Sequence, residues 1–140
     1  MSVMQVEVVS NEQQIFSGEA SFVVVPTLNG ELGIYPRHEP VMSLVRPGAL
    51  RLTVPDSAEE VVAVSGGVLE VLPHKITILA DVAVRSAEMD AARAEEAKKA
   101  AEARISQATD QESLAKAHAA LAAAIAELKT LDYIRAHKHK

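Results

Sequence analysis

The stretch GELGIYPRHEP, residues 30–40, gathers side chains that could do chemistry, in a chain whose residues are only 3% aromatic. Glu31, His38 and Glu39 could bind a metal ion or transfer protons. Histidine and carboxylates are the plausible metal ligands, because the chain contains no cysteine. No spaced histidine pair accompanies His38, and no nucleophile or oxyanion donor is indicated nearby. The sequence therefore favours a contact surface over a metal site or a hydrolytic site.

The backbone of the same stretch favours a stiff loop. Gly30 and Gly33 permit tight turns, whereas Pro36 and Pro40 restrict the chain. Charged and aromatic side chains on such a platform offer the polar and amphipathic contacts of a protein interface. We therefore interpret residues 30–40 as a docking loop, the name used for them below.

Composition and charge limit what the whole chain can be. Its 140 residues suit one domain, or a small domain with an appendage. The net charge of −5 argues against a nucleic-acid partner, because phosphate binding needs clustered lysine and arginine. No apolar run is long enough to span a membrane, and the N-terminus lacks the pattern of an export signal. We therefore expect a soluble protein in the cytoplasm.

Residues 1–85 have the pattern of a β domain. They contain all six glycines and all six prolines of the chain, between short runs rich in valine and isoleucine. In MQVEVV, for example, Met4, Val6 and Val8 alternate with polar residues, which gives a strand one buried face. The spacing of the runs predicts about eight to ten short strands in an antiparallel β-sandwich.

From Ser86 onward the chain contains neither glycine nor proline and is rich in alanine, which predicts helix. The segment TDQE has the spacing of a capping box, in which Thr109 would accept a hydrogen bond from the amide of Glu112. We therefore predict two antiparallel helices, at about residues 87–106 and 110–136.

The predicted fold class is thus α+β, with a sandwich over residues 1–85 and a helical hairpin over residues 86–140. A buried alanine methyl group contributes about 0.8 kcal/mol, against about 1.5 to 3 kcal/mol for a buried leucine. The hairpin positions spaced to face a partner are Ala94, Ala97, Ala101, Ile105, Leu114, Ala117, Leu121, Ala124, Leu128 and Leu131. Because many of these are alanine, the hairpin should dock weakly, which leaves both a detachable switch and a rigid appendage open.

Longer stretches resemble the epsilon subunit of bacterial and chloroplast F-type ATP synthases. The resemblance is carried by GELGIYPRHEP, PGALRL and SGGVLEV in the β half, and by MDAARAEEAKKAAE in the helical half. It covers essentially the whole chain in the order of that family. It implies a non-catalytic subunit that helps couple proton-driven rotation to ATP synthesis and inhibits ATP hydrolysis.

The resemblance also implies partners for the sandwich, which would lie at the foot of the rotating central stalk. It would bind the gamma subunit and rest on the c-ring, at the cytoplasmic face of the bacterial inner membrane, touching the membrane only through the complex. The candidates for contact with the c-ring are Glu31, Tyr35, Arg37 and His38. Val41 and Met42, which follow the docking loop, are candidates for contact with gamma or for the start of a core strand.

The segment MDAARA, residues 89–94, resembles the ATP-binding signature of some epsilon subunits, with Asp90 and Arg93 at matching positions. In nucleotide-binding members, arginines of the second helix also contact the phosphates, and the facing stretch AALAAAIAEL has none. The resemblance therefore implies no cofactor other than weakly bound ATP as a regulator. Asp90 also suits the first turn of a helix without any ligand, because it interacts favourably with the helix dipole.

In the family, the C-terminal helices can leave the sandwich and block hydrolysis, with basic residues meeting acidic segments of the catalytic alpha/beta head. The candidates by position and charge are Lys129, Arg135, Lys138 and Lys140. The same cations would complement the dipole at a helix C-terminus, which is an alternative explanation. Two other functions stay open at this point: a free-standing ATP-sensing module, and a small hydrolase that uses Glu31, His38 or Glu39.

Overall fold

The computed structural model describes residues 2–11 and 13–137 and confirms the α+β class. The strands are β1 (Met4–Ser10), β2 (Gln13–Ala20), β3 (Phe22–Thr27), β4 (Gly30–Ile34), β5 (Val41–Val45), β6 (Gly48–Thr53), β7 (Glu60–Val64), β8 (Gly67–Leu72), β9 (Lys75–Ala80) and β10 (Ala83–Arg85). A short 3-10 helix, Ser86–Glu88, leads to the helices α1 (Ala91–Gln107) and α2 (Gln111–Ala136). The predicted sandwich and helical hairpin are therefore both present.

The strands form one sheet that bends into two layers. The order is β10-β7-β6-β3-β5-β8-β9-β1-β2, with β4 also paired to β3. A single residue pair, Thr27 with Val45, joins β3 to β5. The sheet turns at this point, so the strands on either side belong to different layers. β1 and β9 run parallel, whereas the other described pairings are antiparallel.

The core lies between the layers and consists mainly of branched aliphatic side chains. Met4, Val6 and Val8 are buried in β1, as their alternation predicted. The largest fully buried side chains of the other strands include Ile34, Leu50, Leu52, Leu69, Ile76 and Ile78. Because burial of each contributes about 1.5 to 3 kcal/mol, the sandwich has a substantial core that does not involve the helices.

Helix α1 begins later than predicted because an aspartate caps it. The carboxylate of Asp90 accepts hydrogen bonds from the amides of Ala92 and Arg93, at 3.0 and 3.2 Å. These amides have no partner within the helix, so the cap satisfies two of the donors left free at a helix start. The helix therefore starts at Ala91, and not at residue 87.

The second helix is capped by Asp110, so the prediction that Thr109 caps it was wrong. Asp110 has an extended backbone, and its carboxylate accepts from the amide of Ser113 at 2.7 Å. A capping side chain reaches the second or third amide of its helix, and Asp110 meets this requirement for a helix that starts at Gln111. None of the helices described here combines the length and apolarity needed to cross a membrane.

Helix α2 covers the outer face of β6 and β7. Strand β7 is consequently buried on both sides, with Val62 in the core and Val61 and Ala63 on the side of the helices. The buried residues of the hairpin are Ala94, Ala101, Ala117, Ala124, Ala126 and Thr130. Most of these are predicted contact positions, whereas Ala97 and Leu114, also predicted there, are exposed. The fully buried side chains of the hairpin are thus small, whereas larger ones such as Leu121, Ile125 and Ile134 are only half-buried.

Asp110 should stabilise α2 in a pH-dependent way. Hydrogen bonds from the amide and the hydroxyl of Ser113 lower the pKa of the Asp110 carboxyl below its ordinary value of 3.8. A lowered pKa in the folded state means that the stabilisation is complete above the ordinary pKa and is lost as the pH falls through the lowered one. We expect Asp110→Ala to lower the thermal midpoint of the helical circular dichroism signal at neutral pH.

Below the lowered pKa of Asp110, the unaltered chain and Asp110→Ala should unfold at the same midpoint. Thr109→Ala is the matched control, because Thr109 stands beside the cap but does not bond to the helix amides. An equal loss of stability in both variants at neutral pH would contradict the assignment of the cap to Asp110.

Candidate functional site

The first half of the docking loop belongs to the sheet. The Thr27 hydroxyl donates to the carbonyl of Gly30 at 2.7 Å and accepts from the amide of Asn29 at 3.2 Å, which closes the turn between β3 and β4. Gly30 has a φ of +109°, a conformation that favours glycine. From Gly30 to Ile34 the chain then pairs with β3. The loop therefore starts from a fixed position on the sandwich.

The second half of the docking loop is held at Arg37. Its φ is +69°, in the left-handed region that residues other than glycine seldom adopt. Its amide donates to the carbonyl of Pro73, between β8 and β9, at 2.8 Å. The residue is exposed, so its side chain is available to a partner. An exposed arginine kept in a conformation that suits glycine is a candidate for function.

The outer face of the docking loop carries an aromatic platform. Glu31, Gly33 and Tyr35 alternate along the chain and face outward. The Tyr35 ring lies 4.4 Å from the Phe22 ring, between centroids, and Tyr35 remains 65% exposed. Gly33 leaves room for this pair, because a Cβ there would lie 3.0 Å from the Phe22 ring. Tyr35 is therefore presented to solvent on a packed support.

The candidate metal ligands do not converge. Glu31 forms an ion pair with Arg51 at 3.1 Å, whereas Nδ1 of the half-buried His38 lies 2.8 Å from the carbonyl oxygen of Glu39. Within residues 2–11 and 13–137, no three histidine or acidic side chains are grouped in a way that could hold a metal ion. The geometry of the docking loop is that of a contact surface.

Val41 and Met42 point to opposite sides of β5. Val41 packs against the core, which agrees with one of its two predicted roles, the start of a core strand. Met42 is 71% exposed. Strand pairing places it on one outer surface with other apolar residues of β5, β8 and β9. We call the apolar residues of this surface, Met42, Leu44, Val68, Leu72 and Leu79, the apolar face; the same register places Glu70 among them, opposite Met42.

The sequence did not reveal Leu44, Leu72 and Leu79 as members of this face. Their strands carry apolar residues on both sides, so alternation does not distinguish an outward leucine from an inward one. They come together only through the register of β5 with β8 and of β8 with β9. An exposed apolar surface of this kind is typical of a protein contact site.

Asp90 and Arg93, the candidates for ATP binding, are engaged in the local fold at the start of α1. The Asp90 amide donates to Oε2 of Glu127 in α2 at 3.1 Å, and Arg93 donates to the carbonyl of Glu88 at 2.9 Å. A cavity of about 310 Å³ lies between the helices and the sandwich, lined by Arg93, Glu127 and mainly alanine and valine. The Glu127 carboxylate thus adds a negative charge where a phosphate would require positive ones.

The basic residues of α2 are exposed near its C-terminal end. Lys129 stands free of ion pairs with described residues, and Arg135 lies 3.9 Å from Asp132. An exposed pair of this kind contributes at most about 1 kcal/mol, so Arg135 is also available to a partner. Lys138 and Lys140 lie outside the described residues.

A cluster centred on Arg51 joins the docking loop to α2. Arg51, in β6, donates from Nη2 to Oε1 of Glu31 at 3.1 Å and from Nη1 to the Tyr133 hydroxyl at 3.3 Å. The Tyr133 hydroxyl donates in turn to Oε1 of Glu59 at 3.0 Å. The Arg51 guanidinium also lies 4.9 Å from the centre of the Tyr133 ring, in a cation–π contact. We call these four residues the Arg51 cluster.

The Arg51 cluster is partly shielded from solvent, since the Arg51 side chain is only 23% exposed. Burial lowers the pKa of the Arg51 guanidinium, but its hydrogen bond with Tyr133 and the charges of Glu31 and Glu59 outweigh burial and raise the pKa. On the α2 side, the ring of His137 stacks on Tyr133 at 4.1 Å. Arg51 is therefore a permanent cation held between two elements of the sandwich and one helix.

The end of the sandwich is closed by an ion pair between Arg85 and Glu60. Nη2 of Arg85 lies 2.6 and 3.0 Å from the two carboxylate oxygens, and Nε lies 3.3 Å from one of them. The hydrogen bonds with Glu60 raise the pKa of Arg85. This contact fixes β10 against β7 before the chain enters the helices.

Two family descriptions together match nearly the whole chain. The beta-sandwich domain of the ATP synthase delta/epsilon chain matches residues 3–86, and the long alpha-helix domain of the same chain matches residues 87–132. The chain belongs to the ATP synthase delta/epsilon chain family. The resemblance found in the sequence is thereby confirmed.

Named relatives agree with this family over their full length. The ATP synthase epsilon chains of Neisseria meningitidis serogroup C and Neisseria gonorrhoeae are 81% and 79% identical, with 99% of both chains covered in each case. The epsilon chain of Chromobacterium violaceum is 61% identical, over 99% of this chain and all of the relative. The similarity to these epsilon chains therefore extends across both the sandwich and the hairpin of this chain.

A solved ATP synthase structure contains a chain with a similar fold. A chain in the cryo-EM structure of Euglena gracilis mitochondrial ATP synthase aligns with a TM-score of 0.70. The alignment covers 98% of this chain and 82% of the other, at 21% sequence identity. At this identity the similarity is evidence for the fold only.

Proposed function

We propose that this chain is a non-catalytic subunit of the central stalk of its ATP synthase, where it helps couple proton-driven rotation to ATP synthesis and restrains ATP hydrolysis. Relatives named ATP synthase epsilon chain, matched over 99% of their length, support the proposal. The observation that carries it is the division of the molecule into a well-packed sandwich with outward contact surfaces and a hairpin attached by small side chains. The sandwich would bind the stalk, and the hairpin would inhibit.

The two contact surfaces of the sandwich suit two partners. The polar and aromatic docking loop, with Glu31, Tyr35, Arg37 and His38, would rest on the c-ring. The apolar face around Met42 would bind the gamma subunit, because burial of exposed leucine and methionine favours association. The chain would then be peripheral, at the cytoplasmic face of the bacterial inner membrane, and would touch the membrane only through the complex.

The way in which the hairpin is attached supports the proposed inhibitory role. Its buried side chains are alanines and one threonine, and its described hydrogen bonds to the sandwich all involve Tyr133. Both helices have high intrinsic helix propensity, so they can persist after they leave the sandwich. Released helices would present Lys129, Arg135, Lys138 and Lys140 to acidic segments of the catalytic alpha/beta head.

The inhibitory role predicts that a chain ending at Arg85 will bind the catalytic head without suppressing ATP hydrolysis, whereas the intact chain will bind and suppress it. The truncated chain keeps the Arg85–Glu60 ion pair and every residue of the sandwich core. The measurement is the hydrolysis rate of the head with each version added, after circular dichroism has shown that the shorter chain is folded.

Equal suppression by both versions would contradict the inhibitory role of the helices. Failure of both versions to copurify with gamma would contradict the stalk assignment. In that case, ATP binding by the isolated chain would favour a free-standing ATP-sensing module, and metal-dependent turnover by it would favour a hydrolase that uses Glu31, His38 or Glu39.

Contact between the docking loop and the c-ring predicts a specific behaviour for Arg37→Gly. Glycine adopts the left-handed backbone of this position without strain, so the free energy of unfolding should stay unchanged or rise by about 1 kcal/mol. Loss of one exposed charge at an interface should nevertheless weaken binding of the assembled head to membranes that contain the c-ring, by about fivefold. Cosedimentation with such membranes measures the change.

Asp56→Gly is the matched control for Arg37→Gly. Asp56 also has a positive φ, of 59°, but it lies between β6 and β7 and outside the docking loop. It should show the same small effect on stability and no effect on membrane binding. Unchanged membrane binding in Arg37→Gly would contradict the role of this arginine.

Weak ATP binding as a regulator is a second proposal, supported by Arg93 in the lining of the 310 Å³ cavity and by Asp90, which accepts from the Arg93 amide. We expect Glu127→Gln to bind ATP about threefold to tenfold more tightly than the unaltered chain, because it removes a negative charge from the cavity. Its amide oxygen can still accept the Asp90 hydrogen bond. Glu102→Gln, on α1 but outside the cavity lining, is the control in a calorimetric titration. No binding by any version at millimolar ATP would exclude this regulator.

A further inference from the structure

Tyr133 is the polar anchor of α2 on the sandwich. Both hydrogen bonds that link described residues of the hairpin to the sandwich end at the Tyr133 hydroxyl. Thr130, the buried polar residue described in the hairpin, donates within its own helix, to the carbonyl of Ala126 at 2.7 Å. The other buried hairpin residues are alanines. The strength of the Tyr133 contacts therefore has a large influence on whether the hairpin stays docked.

Arg51 binds Tyr133 and Glu31 with different nitrogens of its guanidinium group. Nη1 donates to the Tyr133 hydroxyl and Nη2 to the Glu31 carboxylate. The Glu31 contact thus helps to hold the guanidinium group near the Tyr133 ring, with its central carbon 4.9 Å from the ring centre. Because one end of the group is already held, less side-chain entropy is lost when the other end binds. Glu31 strengthens the anchor of α2 without touching α2 itself.

We propose that Glu31 controls docking of the hairpin through Arg51. The Glu31 side chain is 54% exposed and belongs to the docking loop, so a partner that binds its carboxylate competes with Arg51 for it. Once Glu31 is occupied by the partner, Arg51 is free to change its rotamer and the anchor at Tyr133 weakens. Occupancy of the docking loop and docking of the hairpin therefore oppose each other.

By thermodynamic linkage, the same coupling works in reverse: release of the hairpin frees Arg51 and makes Glu31 more available to the partner. The assignment of that partner as the c-ring rests on the proposed function, whereas the coupling within the chain does not. Glu59 limits the size of the effect, because its hydrogen bond from Tyr133 persists when Glu31 is occupied. Occupancy of Glu31 therefore shifts the ratio of undocked to docked hairpin without releasing the hairpin completely.

The coupling can be measured in the full chain, which contains no natural cysteine. Cysteines placed at the exposed positions Ser57 and Ala119 carry a donor and an acceptor dye, and single-molecule energy transfer gives the ratio of undocked to docked hairpin. We expect Glu31→Gln to raise this ratio roughly twofold to fivefold. Glu39→Gln, the same change of charge in the docking loop but with no ion pair described for its side chain, should leave it unchanged.

A double-mutant cycle tests whether Arg51 carries the effect. In an Arg51→Gln background, Glu31→Gln should no longer change the undocked-to-docked ratio, because the residue that connects Glu31 to Tyr133 is missing. Tyr133→Phe, which keeps the ring but removes both hydrogen bonds, should by itself raise the ratio. Equal ratios in Glu31→Gln and Glu39→Gln, or additive effects of the Glu31 and Arg51 changes, would overturn the proposal.

The energy-transfer experiment and the hydrolysis experiment test different proposals, so a negative result in one does not decide the other. The labelled chain is alone in solution, so its result does not depend on any partner. Loss of the Glu31 effect would refute the coupling while leaving inhibition by the hairpin intact. Equal suppression of hydrolysis by the intact and truncated chains would refute the proposed inhibition even if the Glu31 effect were present.

Discussion

The two parts of the molecule meet where α2 packs on the outer face of β6 and β7, and the strength of this contact decides whether the hairpin can move independently of the sandwich. Inside the sandwich, valine, leucine and isoleucine side chains are buried, each contributing about 1.5 to 3 kcal/mol. Under the hairpin the buried side chains are chiefly alanine, and each methyl group contributes about 0.8 kcal/mol. The two parts of the chain are therefore stabilised very differently, and the weaker attachment is what would allow the helices to move.

Because this attachment is weak, its few polar contacts make a larger relative contribution to the free energy of docking. In a large apolar interface, the Arg51 cluster would be a minor addition, because exposed and half-exposed ion pairs contribute little. Here Tyr133 provides the described hydrogen bonds between hairpin and sandwich. Arg51 lies on the outer surface of β6, where it reaches Glu31 of β4 as well as α2. The surface that would dock and the helix that would inhibit thus both contact one side chain, Arg51.

The sequence was sufficient for features that depend on local pattern. Alternation in β1 predicted the buried residues Met4, Val6 and Val8, and the absence of glycine and proline after residue 85 predicted both helices. Local pattern gave the wrong residue at the start of α2, where two neighbouring residues can both act as the helix cap. Thr109 and Asp110 can both cap a helix, and only the backbone conformation assigns the cap to Asp110.

Features that depend on contacts between distant residues could not be predicted. Arg51 and Tyr133 are 82 positions apart, and although Arg51 lies in the segment PGALRL, no local pattern indicates that it contacts Tyr133. The apolar face is likewise assembled by the register of three strands, each of which carries apolar residues on both sides. Of the docking candidates, the sequence could name Met42 but could not separate it from Val41, since that requires knowing which side of β5 faces the core.

The most direct test of this account compares thiol labelling of Ala63→Cys and Val62→Cys. Both residues are buried in β7, at 3% and 0% exposure, but Ala63 lies on the side of the hairpin and Val62 lies in the core. If the hairpin detaches from an intact sandwich, the thiol at 63 should react at least about a hundredfold faster than the thiol at 62. Equally slow reaction at both positions would mean that the helices leave only when the whole chain unfolds, and would contradict the account.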